Sequence, residues 1–308
     1  MSSEVPDAGR ADQVGEAFVE SDRAAVSREL VRLMAHYLGE DHGPVADAIR
    51  YSLCGEGKRL RAILVIAAYR AAHGTGDVTA LAAAVEVVHA YSLVHDDLPC
   101  MDDDDMRRGR PTVHTVYGVA AATAAGMAMV PLAARVATDA ARDLGLAPEV
   151  RTELLRVLMR ASGAGGMIGG QLLDLEGEGL SLSLDELERI HRLKTGALIE
   201  ASMVIGGLAA GAPPALLEAF ARYGAAIGLA FQIADDVLDI TGTTDQLGKT
   251  AGKDVQYHKS TYPALLGIEG AIARADALVH EAREGLRRHD ALTPALDFLA
   301  RFTVTRTS

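Results

Sequence analysis

The sequence predicts an all-α fold built as one domain. Alanine- and leucine-rich segments with apolar residues at helical spacing run from one end of the 308-residue chain to the other. Aromatic residues make up 4% of the chain, tryptophan is absent, and there is little of the alternating β-branched pattern that marks strands. Hydrophobic residues account for 49%, enough to bury a sizeable core, and no linker is evident. We expect one helical domain over residues 16–308, after a disordered polar segment over residues 1–15.

The charge balance limits the classes of partner. A net charge of −12 argues against nucleic acid, because binding to a phosphate backbone needs a basic face. A small polyanionic substrate would need local basic islands, which occur at residues 58–61, 107–110 and 249–259. The two cysteines, Cys54 and Cys100, lack the spacing of a metal site or a disulfide framework. No signal peptide or convincing membrane span is evident, so we expect a cytoplasmic protein.

Turn residues and prolines indicate where the first helices begin and end. A helix from about Ser21 should end at Gly39, and the next should begin after Gly43 because Pro44 suits a first helical turn. A third helix is expected over residues 62–72, before a glycine-rich turn.

The third helix follows a basic, glycine-containing motif at residues 55–61, with the sequence GEGKRLR. Backbone N–H groups of glycines, the positive end of a helix dipole and cationic side chains can together hold phosphate. The candidate groups are Gly57, Lys58 and Arg61. A solvated basic helix start is the alternative interpretation.

The most acidic stretch of the chain follows an almost wholly apolar helix over residues 81–94. Six aspartates lie within ten positions: Asp96, Asp97, Asp102, Asp103, Asp104 and Asp105. Such carboxylates repel one another unless water, basic side chains or a divalent cation neutralise them, and Mg²⁺ prefers carboxylate oxygens. A solvated acidic loop is the alternative.

The position of the aspartates at a helix end favours a cation site. Glu86, His89 and Asp96 fall along one face of the apolar helix. A proline two residues after the first aspartate pair should break the helix and turn the chain back. We therefore expect Asp102 to share a cation with Asp96.

The middle of the chain contains two further helices with polar residues in apolar surroundings. A helix over residues 112–141 is rich in alanine, glycine and methionine and is predicted to be core. A later helix carries Gln171 and Asp174 on one face, three residues apart. We expect these two residues to support a metal or the groups around it.

A capping box at residues 183–186 predicts the start of a helix that continues to residue 208. Lys194 and Thr195 lie in its middle. A buried lysine needs an anionic partner, whereas a lysine that reaches solvent does not. The sequence leaves both possibilities open at this position.

A second acidic motif lies at the end of the helix that begins near Pro213. Gln232, Asp235 and Asp239 share one face of this otherwise apolar helix. Two buried carboxylates facing one way imply a cation or a lysine. A loop over residues 241–257 follows, and the lysines in it and just after it are Lys249, Lys253 and Lys259. This loop could cover a diphosphate, or it could serve solubility alone.

Four of these elements, in this order, resemble the trans-polyprenyl diphosphate synthases, and the match covers roughly residues 50–265. DDLPCMDDDDMRRG resembles the longer form of the family's first aspartate-rich motif, and DDVLD resembles the second. The GKRLR stretch is similar to a family element, although Glu56 replaces a glycine and Ala62 a proline. The GGQ stretch ending in Asp174 and the Lys-Thr pair resemble further family signatures. His258 stands where the family more often has glycine.

The resemblance implies an isoprenoid synthase fold, with helices around a deep apolar cavity and both acid motifs at its mouth. It implies a Mg²⁺-dependent condensation of isopentenyl diphosphate with an allylic diphosphate, in a homodimer. Residues expected to act in catalysis are Asp96, Asp97, Asp102, Lys194, Thr195, Gln232 and Asp235, of which Asp96, Asp102 and Asp235 would hold Mg²⁺. Residues expected to bind the substrates are Gly57, Lys58, Arg61, His89, Arg107, Arg108, Lys249, Lys253 and Lys259.

Product length is expected to depend on the helix turn before the first acid motif. Ser92 is small and lies almost under Asp96, whereas Tyr91 is large and displaced from it by about 100°. An aromatic residue five positions before the motif resembles bacterial farnesyl diphosphate synthases, so the sequence favours a C15 product. A C20 product is the nearest alternative. A class I terpene cyclase, which usually carries an Asn/Asp-Ser-Glu metal motif, and a non-catalytic partner subunit are less favoured.

Overall fold

The computed structural model describes residues 8–241 and 260–305, with side chains from Asp12 onward. The first elements are α1 (Ala8–Leu38), α2 (Pro44–Leu53), α3 (Leu60–Ala71), α4 (Thr79–Asp96), β1 (Met106–Arg107), β2 (Arg110–Pro111) and α5 (Val113–Tyr117). The elements that follow are α6 (Val119–Asp143), α7 (Pro148–Ser162), α8 (Met167–Glu176), α9 (Leu184–His191), a π-helical turn (Arg192–Gly196), α10 (Ala197–Ala209), α11 (Pro214–Thr241), α12 (Tyr262–Arg287) and α13 (Pro294–Thr305). The predicted all-α class is confirmed, since the strands in the described ranges form a single two-residue hairpin.

The apolar helix α4 lies at the centre of the first half of the molecule. It packs against α1, α2, α3, α6 and α10, and most of its side chains are buried. One apolar cluster surrounds α4 and α6, and a second is formed largely by α11, α12 and α13. Helices α3 and α10 contribute side chains to both clusters, which joins them into one packed unit.

The N-terminal helix begins earlier than the sequence indicates. Residues 8–15, which lie within the segment predicted to be disordered, belong to α1, so the helix begins well before Ser21. Packing against α13 accounts for this difference, because Asp12 pairs with Arg301. Gly15 also lies against Phe298, where a Cβ would meet the Phe298 side chain at 2.5 Å.

Two other predicted helices are interrupted. The expected helix over residues 112–141 is divided into α5 and α6 at Gly118, whose φ of +83° is incompatible with a right-handed helix. The helix that begins with the capping box widens into a π turn at residues 192–196 before α10. The capping box itself is confirmed, with Ser183 and Glu186 exchanging hydrogen bonds.

Within the described part of the chain, α6 is long and apolar enough, by length and composition alone, to cross a membrane. No such stretch was expected from the sequence. One face of α6 packs against α4 in the core, which is a sufficient reason for apolar residues on that face.

We predict that Gly206→Ala will destabilise the fold, because α10 crosses α3 closely at this glycine. A Cβ there would overlap the carbonyl oxygen of Val65 and lie 3.0 Å from the backbone nitrogen of Tyr69. Moving the two backbones apart should cost about 1–3 kcal/mol, measured as the free energy of unfolding in denaturant. Gly285→Ala is the matched control, since a Cβ there meets nothing within 4 Å. It should be neutral or stabilising by up to ~1 kcal/mol; equal effects of the two changes would contradict the close crossing.

Candidate active site

The first acid motif folds back on itself after α4. The helix ends at Asp96, with Asp97 as its C-terminal cap. The backbone N–H of Asp102 donates to the Asp96 carbonyl at 2.9 Å, and that of Asp103 donates to the Leu98 carbonyl at 3.2 Å. The predicted helix break is therefore confirmed, and it returns Asp102 to the end of the helix.

The carboxyl group of Asp96 is placed among opposing charges. Burial raises its pKa to about 6, the charge of Lys194 acts to lower it, and that of Asp102 acts to raise it. One carboxylate oxygen of Asp102, Oδ1, is buried and accepts no hydrogen bond within the described residues. A buried carboxylate oxygen of this kind is unfavourable unless a cation or a donor reaches it.

These observations fit a hard cation near Asp96 and Asp102. In the part of the chain that the structure describes, no three His, Cys, Asp or Glu side chains lie close enough together to hold a metal ion as they stand. The donor set is nevertheless suitable, because carboxylate oxygens are the ligands that Mg²⁺ prefers. The unpartnered oxygen of Asp102 is the observation that agrees best with such a group.

Asp97 faces a different partner from its neighbour. Its carboxylate is only 4% exposed; Oδ1 accepts a hydrogen bond from Nε of Arg107 at 2.7 Å and lies 2.6 Å from Nη2 in the same ion pair. Arg107 reaches it from the β1–β2 hairpin, whose two-residue turn consists of Arg108 and Gly109, both with positive φ. Asp97 thus anchors the arginine hairpin to the end of α4.

The residues predicted to bind a diphosphate converge beside the hairpin. Burial, followed by the charges of Arg61 and Arg108, lowers the pKa of His89 well below its usual value, so this imidazole is neutral at pH 7. Burial lowers the pKa of Arg61 to about 10, and its Nε is buried with no hydrogen-bond partner among the described groups. A Cβ at Gly57 would lie 2.7 Å from Nη1 of Arg108. Lys58 is exposed at the edge of this basic cluster.

A buried Arg59–Glu86 network, which the sequence analysis did not assign, supports this cluster. Oε1 of Glu86 accepts from the backbone N–H of Ala62 at 3.1 Å, in the first turn of α3, and Oε2 lies 3.9 Å from Nη1 of Arg59. Arg59 also donates to the carbonyl of Leu53 at 3.0 Å. Glu86 thereby holds the basic motif against α4. The available signal was an acid within an otherwise apolar helix, which requires a partner.

The π turn brings Lys194 and Thr195 to the same region. Nζ of Lys194 lies 2.6 Å from Oδ2 of Asp174, which confirms that this lysine has an anionic partner. Thr195 donates through its hydroxyl to Oε1 of Gln232 at 2.9 Å. The side-chain amide of Gln171 is buried and makes no hydrogen bond within residues 8–241 and 260–305.

The second acid motif lies near the end of α11. The charges of Asp235 and Asp96 both act to raise the pKa of Arg61, against the larger effect of burial, which lowers it. Asp239 is buried, and its Oδ2 has no hydrogen-bond partner in the described ranges. Asp236 instead turns towards α12, where Oδ2 accepts from the backbone N–H of Tyr262 at 3.0 Å, and it lies 4.0 Å from Nε2 of His191.

The remaining predicted residues are those expected to limit product length and the lysines that follow α11. Tyr91 is buried in the cluster around α4, and the hydroxyl of Ser92 donates to the carbonyl of His89 at 2.9 Å. Lys249, Lys253 and Lys259 lie outside the described residues. A cavity of about 740 Å³ between α8 and α9 is lined by none of the predicted site residues.

The chain is similar to known proteins along most of its length. The profile of the family named Polyprenyl synthetase matches residues 43–295. Farnesyl diphosphate synthase of Escherichia coli K12 is 45% identical over 303 residues, covering 94% of this chain and 97% of that protein. Geranylgeranyl pyrophosphate synthase 9 of Arabidopsis thaliana is 45% identical over 251 residues, covering 80% of this chain and 69% of that protein.

A solved structure gives the same result for the fold. The geranyltransferase of Helicobacter pylori, crystallised with magnesium and isoprenyl diphosphate, superposes with a TM-score of 0.79 and 30% identity, over 99% of this chain and 98% of that one. The family profile covers most of the chain, and the E. coli relative matches along 97% of its own length. The chain therefore belongs to the polyprenyl synthetase family and has the all-α isoprenoid synthase fold of that family.

Proposed function

We propose that the protein is a Mg²⁺-dependent trans-prenyltransferase that condenses isopentenyl diphosphate head to tail with dimethylallyl or geranyl diphosphate and releases farnesyl diphosphate. The observation that carries this proposal is the chain reversal that returns Asp102, with its unpartnered buried carboxylate oxygen, to Asp96 at the end of the helix that also carries His89. The farnesyl diphosphate synthase name of the E. coli relative supports the C15 product. A single assay tests the activity: incubation with Mg²⁺ and both substrates, followed by dephosphorylation and analysis of the alcohols.

The allylic diphosphate is the substrate assigned to the acid motifs. Asp96, Asp102 and Asp235 would hold Mg²⁺, which when bound supplies positive charge to the leaving diphosphate. Lys194 and Arg107 add fixed positive charge there, since each stays close to Asp96 while paired with Asp174 or Asp97. The H. pylori structure with magnesium and isoprenyl diphosphate supports this assignment by similarity.

The basic cluster is assigned to isopentenyl diphosphate. Arg61 has an unpartnered buried N–H group, and His89 is neutral and surrounded by arginines. Gly57 leaves room for Arg108, and Lys58 stands at the exposed edge. These groups would bind a diphosphate through charge-assisted hydrogen bonds.

The hydroxyl of Thr195 and the amide oxygen of Gln232, joined by a hydrogen bond, would lie near the allylic carbon as its C–O bond breaks. Their dipoles would stabilise the allylic cation in a site that excludes water. The isopentenyl double bond then attacks this carbon. The departing diphosphate takes the proton that restores the double bond, so no side-chain base is required. Lys249, Lys253 and Lys259 are proposed to bind diphosphate from the loop that follows α11.

The same assay distinguishes three alternatives to this activity. A geranylgeranyl diphosphate synthase, the activity named for the Arabidopsis relative, would give a C20 alcohol. A terpene cyclase would give hydrocarbons, and a non-catalytic partner subunit would give nothing. A synthase is favoured because DDVLD stands where a cyclase usually carries an Asn/Asp-Ser-Glu motif, and because the basic cluster provides for a second diphosphate.

We also propose that the protein is a homodimer in the cytoplasm. Large apolar side chains stay exposed on α5 and α6, among them Val116, Val119 and Met127 at 46%, 48% and 66% exposure. Such a surface suits a second copy of the chain. Sedimentation velocity measures the state directly, and a single species near 32.4 kDa would contradict the dimer.

We predict that Asp96→Asn and Asp235→Asn will each lower turnover on the order of 100-fold or more, because each removes a charge that the proposed cation requires. Helicity measured by circular dichroism should be unchanged. Asp103→Asn is the matched control, since Asp103 is exposed and its φ of +48° is tolerated by asparagine. Near-normal turnover in Asp96→Asn or Asp235→Asn would rule out the two-motif metal site.

We predict that Arg61→Ala will raise the KM for isopentenyl diphosphate by roughly 10–100-fold, the effect of losing a charged hydrogen bond in a buried site. The KM for the allylic substrate should change much less. Arg288→Ala, which removes an exposed arginine at the end of α12, is the control and should leave both values unchanged. A larger effect on the allylic KM would mean that the two diphosphate sites are interchanged.

We predict that Tyr91→Ala will lengthen the product, because removing the ring deepens the space beneath Asp96. The ratio of C20 to C15 alcohols should rise about tenfold, as expected when a pocket gains room for additional carbon atoms. Tyr37→Ala removes the same side chain from α1, where it packs on the same apolar cluster, and should leave the ratio unchanged. An unchanged ratio in Tyr91→Ala would mean that residues other than Tyr91 limit the length of the product.

A further inference from the structure

We propose that His95 is a positioning residue that limits product length by holding the ring of Tyr91. This inference rests on the proposed function and on the prediction that the Tyr91 ring limits the length of the product. His95 lies one helical turn after Tyr91 and immediately before Asp96, at the last turn of α4. No role in metal or diphosphate binding is assigned to it.

The His95 imidazole is fixed against α6. Its Nε2 lies 3.1 Å from the carbonyl oxygen of Thr123, so Nε2 carries the proton and donates a hydrogen bond. The ring occupies a slot that exists because residue 126 is glycine: a Cβ there would overlap the imidazole and lie 2.8 Å from its Cε1. The imidazole thus packs against the backbone of a core helix. Backbone atoms in such a helix move less easily than the end of a flexible side chain.

The imidazole also contacts Tyr91. The two rings are perpendicular, with centroids 5.6 Å apart, in an edge-to-face contact. Within the described residues the Tyr91 hydroxyl makes no hydrogen bond, so packing alone holds this ring in place. A hydrocarbon chain that pressed on Tyr91 would meet a ring braced by His95 and, through it, by the backbone of α6.

His95→Ala tests the inference through the ratio of products. Without the imidazole Tyr91 should be able to move aside, and the ratio of C20 to C15 alcohols should rise about tenfold, as predicted for Tyr91→Ala. The kcat for the first condensation and the KM of both substrates should stay within a few-fold of the parent. A residue that only stabilised the fold would lower activity without changing the distribution of chain lengths.

Gly126→Ala gives an independent route to the same measurement if His95→Ala does not fold. The added methyl group should displace the imidazole from its slot, release Tyr91 and lengthen the product. In the double variant His95→Ala, Gly126→Ala the methyl group meets empty space, so the product ratio should equal that of His95→Ala alone. Independent, multiplying effects of the two changes would contradict the slot.

The outcomes separate this inference from the proposal beneath it. If Tyr91→Ala lengthens the product while His95→Ala and Gly126→Ala do not, His95 has no positioning role, and Tyr91 still limits the length of the product. If Tyr91→Ala leaves product length unchanged, residues other than Tyr91 limit it, and the role of His95 is overturned as well. If all three variants lengthen the product, the brace is supported. Loss of all condensation activity in the parent protein would instead overturn the proposed function.

Discussion

Half-buried carboxylates at the end of an apolar helix persist only when opposite charge lies near them, and the site depends on this requirement. Burial raises the pKa of Asp96 to about 6, while Lys194 opposes that rise. Lys194 is itself held by Asp174 at 2.6 Å. Arg107 is likewise held by Asp97. Acid and base thus alternate across α4, α8, the π turn and the hairpin. This alternation lets many ionised groups share a small volume, with Asp102 left open to a cation.

Helix α4 connects the chemistry to the core. Its apolar residues are buried between five neighbouring helices, so its orientation is strongly determined. The same helix presents Glu86 to the basic motif, His89 to the arginines and Asp96 to the acid cluster. Because these groups repeat at helical intervals, one rigid element sets the distance between both proposed diphosphate sites. Change in the packing of α4 would therefore affect binding of both substrates together.

Much of the site could be predicted from local sequence. The chain reversal that returns Asp102 to Asp96 follows from a proline beside a helix end, and it is present. The sequence left open whether Lys194 has an anionic partner or reaches solvent, and it could not identify Asp174, which is twenty positions away on another helix. Helix periodicity places Asp235, but not Asp236, on the face shared with Gln232 and Asp239, and it does not specify the partner of Asp236. Only the crossing of α11 with α12 turns Asp236 towards the backbone of Tyr262.

The sequence by itself determined the helical class, the capping box, and the two acid motifs and basic motif with their order. These features depend on periodicity and on the identity of close neighbours, which a linear sequence records. Tertiary structure alone decided that α1 extends back to Ala8, that Arg59 and Glu86 support the basic motif, and that His95 lies in the slot left by Gly126. Each of these depends on the distance and angle at which separate helices cross. Such crossings are set by the packing of the whole core, so no local pattern specifies them.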